Sequence, residues 1–311
     1  VFFRILITEY RLPITDHPSR NHKETRMKIG ALGYIVGDLT DVDYNKIRWA
    51  ADTGFHGLGA HLTVPAESIS DKTIANARAA FADQGMEFLQ VWPQYPCIIT
   101  PDESIRRSGV AKARESVKLA ARLGVAGSGV RPTSLNPRGD WWPHPDNFKP
   151  ETEDRFVRSM LEILQTADDC GVNIILEIHQ TTLLRDAKTV RRIIERLDSP
   201  RVKVNIDPVN FVCDLPTALD PTPMIDDLFD QLGPYVDTVH VKDFYLEDRF
   251  VLHISETVIG TGLMDLGTVL RRAYQTSPDG FVIVEHLPVS LIPLAKRNLT
   301  AKIKELGIPI G

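Results

Sequence analysis

Four short apolar runs in the second half of the chain end at, or just past, a residue that binds metal ions. NIILE closes on Glu177, VKVNID on Asp207 and FVIVE on Glu285, while DTVHVKD carries His240. Three carboxylates and one imidazole make a hard, oxygen-rich donor set. Such a set suits Mn2+, Mg2+ or Co2+ better than a thiolate zinc site would, and it leaves positions open for substrate oxygens. One divalent ion is expected, manganese first, with magnesium, cobalt or zinc as alternatives. A single acid after an apolar strand ordinarily caps the next helix. Four ligand types at four such places argue for a shared centre, because charge is seldom buried without a partner.

Only a fold that gathers strand ends can bring these residues together. From Met27 onward the chain alternates short apolar runs with amphipathic stretches of helical period. The runs are residues 28–36, 56–62, 87–92, 126–131, 173–177, 203–207, 238–242 and 281–285. Helical stretches between them, such as SGVAKARESVKLAARLG and DRFVRSMLEILQTADDCG, stop at glycines where a left-handed cap is expected: Gly54, Gly85, Gly124, Gly171 and Gly233. Strand–helix repetition calls for parallel pairing through right-handed crossovers. Eight such units fit a closed (β/α)8 TIM barrel, whose C-terminal mouth is where the four ligand types would converge. A doubly wound sheet is the rival, but GYIVGD after the first strand is no phosphate-binding glycine turn. The rhythm sets a single catalytic domain at residues 27–311, preceded by an N-terminal extension, residues 1–26. The long irregular segment RPTSLNPRGDWWPHPDNFKPETED reads as a lid over the mouth, with Trp141, Trp142 and His144 as its candidate lid residues.

Further residues share the mouth by position. His179 lies two residues beyond Glu177, so it points the same way if the strand continues, and it reads as a substrate contact. Lys242 shares the face of His240 and could meet a phosphate or carboxylate, whereas Asp243 reads as orienting a neighbour. His61 and Trp92 end the second and third runs, and Trp92 offers a wall for the apolar face of a sugar. Arg131, at the end of the fourth, could clamp an anion or form a salt bridge to one of the site carboxylates. His253 and His286 carry no assigned role.

The segments LEIHQ, NIDPVN, HVKD, GTG and FVIVEH together resemble the sugar phosphate isomerase/epimerase group of xylose isomerase-like TIM barrels. The resemblance runs from Met27 to the end of the chain and is most specific between Glu177 and Glu285. It implies one divalent metal held by Glu177, Asp207, His240 and Glu285, with both glutamates doubling as acid and base. The activity implied is isomerisation or epimerisation of a sugar or sugar derivative by proton transfer through a metal-stabilised enediolate. Relatives in the group instead dehydrate inososes or 3-dehydroshikimate, so a lyase is the alternative. Asn210, taken as a substrate contact, stands where ketose 3-epimerases have a substrate-binding histidine and endonuclease IV relatives a metal-binding one. An amide cannot titrate, and the departure counts most against an apurinic-site endonuclease. A non-catalytic sugar-binding barrel is a further alternative, against which the intact ligand set argues. The Gly-x-Gly turn in VIGTGLMDLG reads as loop geometry. A homo-oligomer is expected by analogy with the family.

The partner the resemblance implies is a small sugar or polyol-derived molecule, and bulk properties argue against other classes of partner. The 311 residues are 43% hydrophobic and 25% charged, with a formal net charge of -5, and no basic stripe suited to nucleic acid is visible. No apolar run is long enough to span a bilayer, so no membrane partner is expected. The opening VFFRILITEY is interrupted by Glu9 and is followed by no small-residue cleavage site. Cys97, Cys170 and Cys213 are scattered and odd in number, which fits a reducing compartment. The expected location is the cytoplasm.

Overall fold

In the computed structural model, described over residues 25–33 and 35–311, the strands are β1 (Lys28–Leu32), β2 (Gly57–Leu62), β3 (Glu87–Pro93), β4 (Gly127–Val130), β5 (Asn173–Glu177), β6 (Val202–Ile206), β7 (Val236–Val241), β8 (Asp243–Leu246), β9 (Ile254–Thr257) and β10 (Phe281–Val284). Eight of them close a parallel barrel in the order β1-β10-β7-β6-β5-β4-β3-β2, while β8 and β9 form a separate antiparallel hairpin. This is the (β/α)8 architecture that the alternating pattern calls for. The extension expected over residues 1–26 lies outside the described residues apart from Thr25 and Arg26. Arg26 N donates to Asp279 Oδ1 at 2.9 Å, and Met27 bridges to Ile310 near the end of the chain.

The helices are α1 (Tyr44–Asp52), α2 (Asp71–Asp83), α3 (Glu103–Leu123), α4 (Pro150–Cys170), α5 (Ala187–Leu197), α6 (Leu215–Leu219), α7 (Thr222–Leu232), α8 (Leu266–Thr276) and α9 (Ile292–Glu305). Asp43, Ser70, Asp102, Asp186, Asp214 and Asp265 start six of them, each side chain accepting a first-turn N–H. Gly124 and Gly171 end α3 and α4 in the left-handed region, at φ +74° and +70°. Gly233 does not: its φ is -46°, because α7 runs on into a 3-10 turn over Gly233–Tyr235 that Pro234 favours. Three boundaries differ from the sequence reading by four residues or more, one being α3, which begins at Glu103 behind its Asp102 cap instead of at Ser108. β1 stops at Leu32 instead of reaching Val36, since Gly33 turns the chain at φ +91°, which no pleated strand accommodates. α4 begins at Pro150, ahead of the expected Asp154, with the proline in the first turn where its missing N–H costs nothing. No helix among the described residues is long and apolar enough to cross a membrane.

The apolar side chains form two layers. The larger lies between strands and helices, and the smaller fills the barrel with Leu32, Trp92, Ile175, Phe281 and Ile283. Trp92 fits inside because Gly129 faces it on the neighbouring strand. A Cβ there would stand 2.1 Å from the indole. Outside the barrel, Arg106 of α3 is 2% exposed. Its guanidinium donates to Glu103 at 2.7 and 2.8 Å and to Ser159 of α4 at 3.0 Å, and it pairs with Glu162 at 2.9 Å. Hydrogen bonds from Arg106 and then Arg107 push the Glu103 carboxyl down to about 2 from its ordinary 4.5. A depressed carboxyl stabilises the folded state above the unfolded value and loses that contribution as pH falls toward the folded one. Glu103→Gln is therefore expected to melt below the parent at pH 7, with the gap closing as pH is lowered from 4.5 toward 2. Melting temperatures measured across that range check it, and a gap independent of pH would contradict the linkage.

Candidate active site

The residues singled out in the sequence meet at the C-terminal mouth of the barrel. Glu177 is the last residue of β5, Asp207 follows β6, His240 lies in β7, and Glu285 follows β10. Ligand atoms of Glu177, Asp207 and His240 lie within 4.8 Å of one another, all three residues being buried. Glu285 joins through His240, whose Nδ1 lies 2.9 Å from Glu285 Oε2. Above this floor opens a cavity of about 440 Å³. Glu177, Glu285, His179, Asn210, Lys242, Trp92, Arg131 and His61 all line it, whereas Asp207 and His240 lie fully buried beneath it.

Several of these side chains are held by contacts the sequence did not foretell. Lys242 turns inward, its Nζ 2.7 Å from Asp207 Oδ2 and 3.0 Å from Glu285 Oε2, so its charge is spent on the floor. The Asn210 amide donates to Glu177 Oε1 and to the Ile178 carbonyl, each at 3.2 Å. Nδ1 of His179 accepts the Thr181 N–H at 3.1 Å, which leaves the ring proton on Nε2. The Trp141 ring stands 5.5 Å from the His179 ring. Of the candidate lid residues, Trp141 lines the cavity; Trp142 and His144 do not, His144 instead capping a 3-10 turn. His286 also lines the cavity and His253 does not. Asp243, 1% exposed, accepts the N–H groups of Phe244, Gly260, Gly262 and Met264 at 2.9 to 3.0 Å. It thereby pins the Gly-x-Gly turn, an architectural role three residues beyond His240.

Burial and neighbouring charge drive the two glutamates apart. Burial, with the Glu285 and Asp207 carboxylates adding to it, pushes Glu177 up to about 7 against the pull of His240. Burial alone would also raise Glu285, but Lys242 and His240 hold it well below the carboxylate range. His240 is pushed up to about 9 despite burial, chiefly by Glu285, and burial lowers His179 to about 4.

A layer of polar groups lies beneath the floor. Asn205 Nδ2 stands 3.0 Å from His240 Nε2 and 3.5 Å from Glu177 Oε2. Its Oδ1 accepts from Thr238 and, at 3.3 Å, from Gln90. Gln90 in turn donates to Asp237 Oδ2 at 2.8 Å and accepts the Trp92 indole N–H at 3.0 Å. Indole can only donate and an ionised carboxylate only accept, so these two ends fix which way both amides face. A signal for this layer was present: Gln90, Asn205 and Thr238 each stand two residues before Trp92, Asp207 and His240, hence on the same inward face. Glu256, which lines the cavity from β9, had none.

The donor chemistry of the floor fits a divalent cation. Asp207 Oδ2 is buried and takes part in no hydrogen bond, the Lys242 ammonium standing beside it at 2.7 Å without suitable alignment. Beyond that ammonium the oxygen has no partner of the kind that burial ordinarily demands. The profile of the xylose isomerase-like TIM barrel family matches residues 47–303. The chain belongs to that family. No curated protein matches the sequence. Among solved structures, the barrel is similar to a xylose isomerase-like TIM barrel protein from Mycobacterium smegmatis in complex with magnesium, at 18% identity and a TM-score of 0.67, over 90% of this chain and 96% of that one. It is also similar to D-psicose 3-epimerase from Clostridium cellulolyticum H10, solved with D-tagatose, at 17% identity and a TM-score of 0.65, over 92% and 100%. A D-tagatose 3-epimerase-like protein aligns at 19% identity and a TM-score of 0.69, over 90% and 98%. At such identities the likeness is one of fold.

Proposed function

We propose that this member of the xylose isomerase-like family is a metal-dependent isomerase or epimerase of a sugar or sugar-derived ketone, moving a proton on and off the carbon beside a carbonyl. One observation carries the reading: Glu177, Asp207 and His240 converge within 4.8 Å under a cavity flanked by a second glutamate, with a buried Asp207 oxygen left without a hydrogen bond. Glu177, Asp207 and His240 would hold the ion, with Glu285 beside them as the fourth ligand. The chemistry a divalent ion supplies there is Lewis-acid polarisation of a substrate carbonyl, which acidifies the neighbouring C–H.

The chain's own residues do the rest. Glu177 and Glu285 enter the cavity from β5 and β10, strands three places apart around the ring. A substrate carbon between them can lose a proton to one carboxylate and gain one from the other. Epimerisation needs that arrangement, and a shift of the carbonyl between adjacent carbons can also use it. Lys242 keeps Glu285 ionised, and Asn210 holds the orientation of Glu177. His179, neutral with its proton on Nε2, is a hydrogen-bond donor for a substrate oxygen, and Trp92 and Trp141 give an apolar wall for a sugar face. Similarity in fold to proteins described as sugar 3-epimerases supports the same reading.

The test is deuterium wash-in. Protein stripped with a chelator and reloaded with manganese or magnesium is incubated in D2O with a panel of ketoses, and label beside the carbonyl is read by NMR. Metal-dependent incorporation is expected. Failure of the loaded protein to label any member would overturn the reading, and a growing conjugated-carbonyl absorbance would reassign the protein as a dehydratase.

A further inference from the structure

Each cation facing the cavity, among the described residues, has a carboxylate of its own. Lys242 lies against Asp207 and Glu285, and His286 lies 3.1 Å from Glu256 and 3.5 Å from Glu285. Arg131 is the instructive case, because its partner comes from the long loop after β4 and not from the barrel floor. Arg131 Nη1 stands 2.5 Å from Asp140 Oδ2, and Nη2 donates to the Pro93 carbonyl at 2.9 Å. The guanidinium also stands 5.2 Å from the centre of the Tyr95 ring, and the Tyr95 hydroxyl bonds to the Arg131 backbone at 2.7 and 2.8 Å. The pair is largely withdrawn from water, with side-chain exposures of 16% for Arg131 and 24% for Asp140.

We infer that Asp140 is a specificity-determining residue: by occupying the guanidinium of Arg131 it denies the cavity an anion site, so that the pocket selects an uncharged polyol over a phosphorylated or carboxylated one. The inference rests on the reading of this cavity as a sugar site. Charge balance supports it. Five carboxylates (Asp140, Glu177, Asp207, Glu256 and Glu285) face two permanent cations (Arg131 and Lys242) in and around the cavity. Even with His286 counted as a third cation, a bound dication brings those charges only to neutrality, with no positive surplus for a phosphate. An entering anion would have to break the Arg131–Asp140 pair and leave Asp140 beside it, a double cost in a partly desolvated place. Elsewhere on the wall, Leu32, Trp92, Pro93 and Trp141 offer contact surface and no charge, and Gln94 and Asn210 are neutral amides.

Inorganic phosphate is the probe, titrated by calorimetry into magnesium-loaded and chelator-treated protein, so that binding to the metal is separated from binding to Arg131. Parent and Arg131→Met are expected to bind phosphate alike. Asp140→Asn frees the guanidinium with almost no change of shape, and phosphate should bind it at least ~10-fold tighter, as expected of a charge-assisted fork. The gain should vanish in Asp140→Asn combined with Arg131→Met. Asp140→Ala serves the same comparison if the asparagine variant does not fold. Parent affinity that drops ~10-fold in Arg131→Met, or no gain on removing the Asp140 charge, would overturn the inference. Absence of deuterium exchange would instead sink the proposed function and leave these titrations unaffected.

Discussion

Glu177→Gln and Glu285→Gln are each expected to cut metal-dependent deuterium exchange by ~10³-fold or more, within the range by which positioned acids and bases accelerate proton transfer. Glutamine keeps the shape of each side chain and removes its ability to carry a proton. The two variants are not equivalent. Glu177 meets amide donors, with Asn210 Nδ2 at 3.2 Å and Asn205 Nδ2 at 3.5 Å, and a glutamine can still present an oxygen to them. Glu285 faces Lys242 at 3.0 Å and His240 at 2.9 Å, so its neutralisation leaves Lys242 with Asp207 as its remaining floor carboxylate. Glu285→Gln should therefore also lower the pKa of His240, whose elevation owes most to Glu285. NMR titration of the metal-free protein reads that shift apart from activity. An enzyme that shuttles one proton through a single carboxylate would show a severe defect in only one variant. Retention of more than about a tenth of parental exchange by both would remove acid–base work from the two residues, since a positioned group contributes ~10²-fold or more.

Much of the site was legible because a barrel converts linear position into spatial position. Glu177, Asp207, His240 and Glu285 stand apart in sequence, yet each sits where a strand delivers it to the same end. The inward alternation also made Trp92, His61 and His179 readable as wall residues. What the sequence could not supply was pairing. Nothing in a linear reading says that Lys242 spends its charge on Asp207 and Glu285, or that Arg131 spends its own on Asp140, because both depend on side chains meeting across the ring or from a loop. The end of β1 was misjudged for a local reason. Residues up to Val36 are apolar enough to continue the strand, and the left-handed turn at Gly33 ends it. Gly33 itself lies against His61, which a Cβ there would approach to 3.0 Å.

Asp207→Ala is expected to weaken Mn2+ binding by at least ~100-fold, more than is typical for losing a residue that only supports a ligand. Asp207 is fully buried, and of its two oxygens Oδ1 accepts the Val209 N–H at 3.2 Å while Oδ2 takes part in no hydrogen bond. A buried anionic oxygen kept that way is unfavourable unless something else claims it, and Lys242 at 2.7 Å offsets its charge without hydrogen-bond alignment. Thermal unfolding gives a readout that does not involve turnover. A ligand bound only by the folded state adds about 2.7 kcal/mol at a concentration ~100 times its Kd, so parent protein should melt higher with Mn2+, while the variant should gain no more than about 0.4 kcal/mol at that concentration. Asp207→Asn should fall between them, since an amide oxygen can still reach an ion but brings no charge. A variant that took up Mn2+ as tightly as the parent would move the ion away from β6 and leave Lys242 as the partner of the buried Asp207 oxygen.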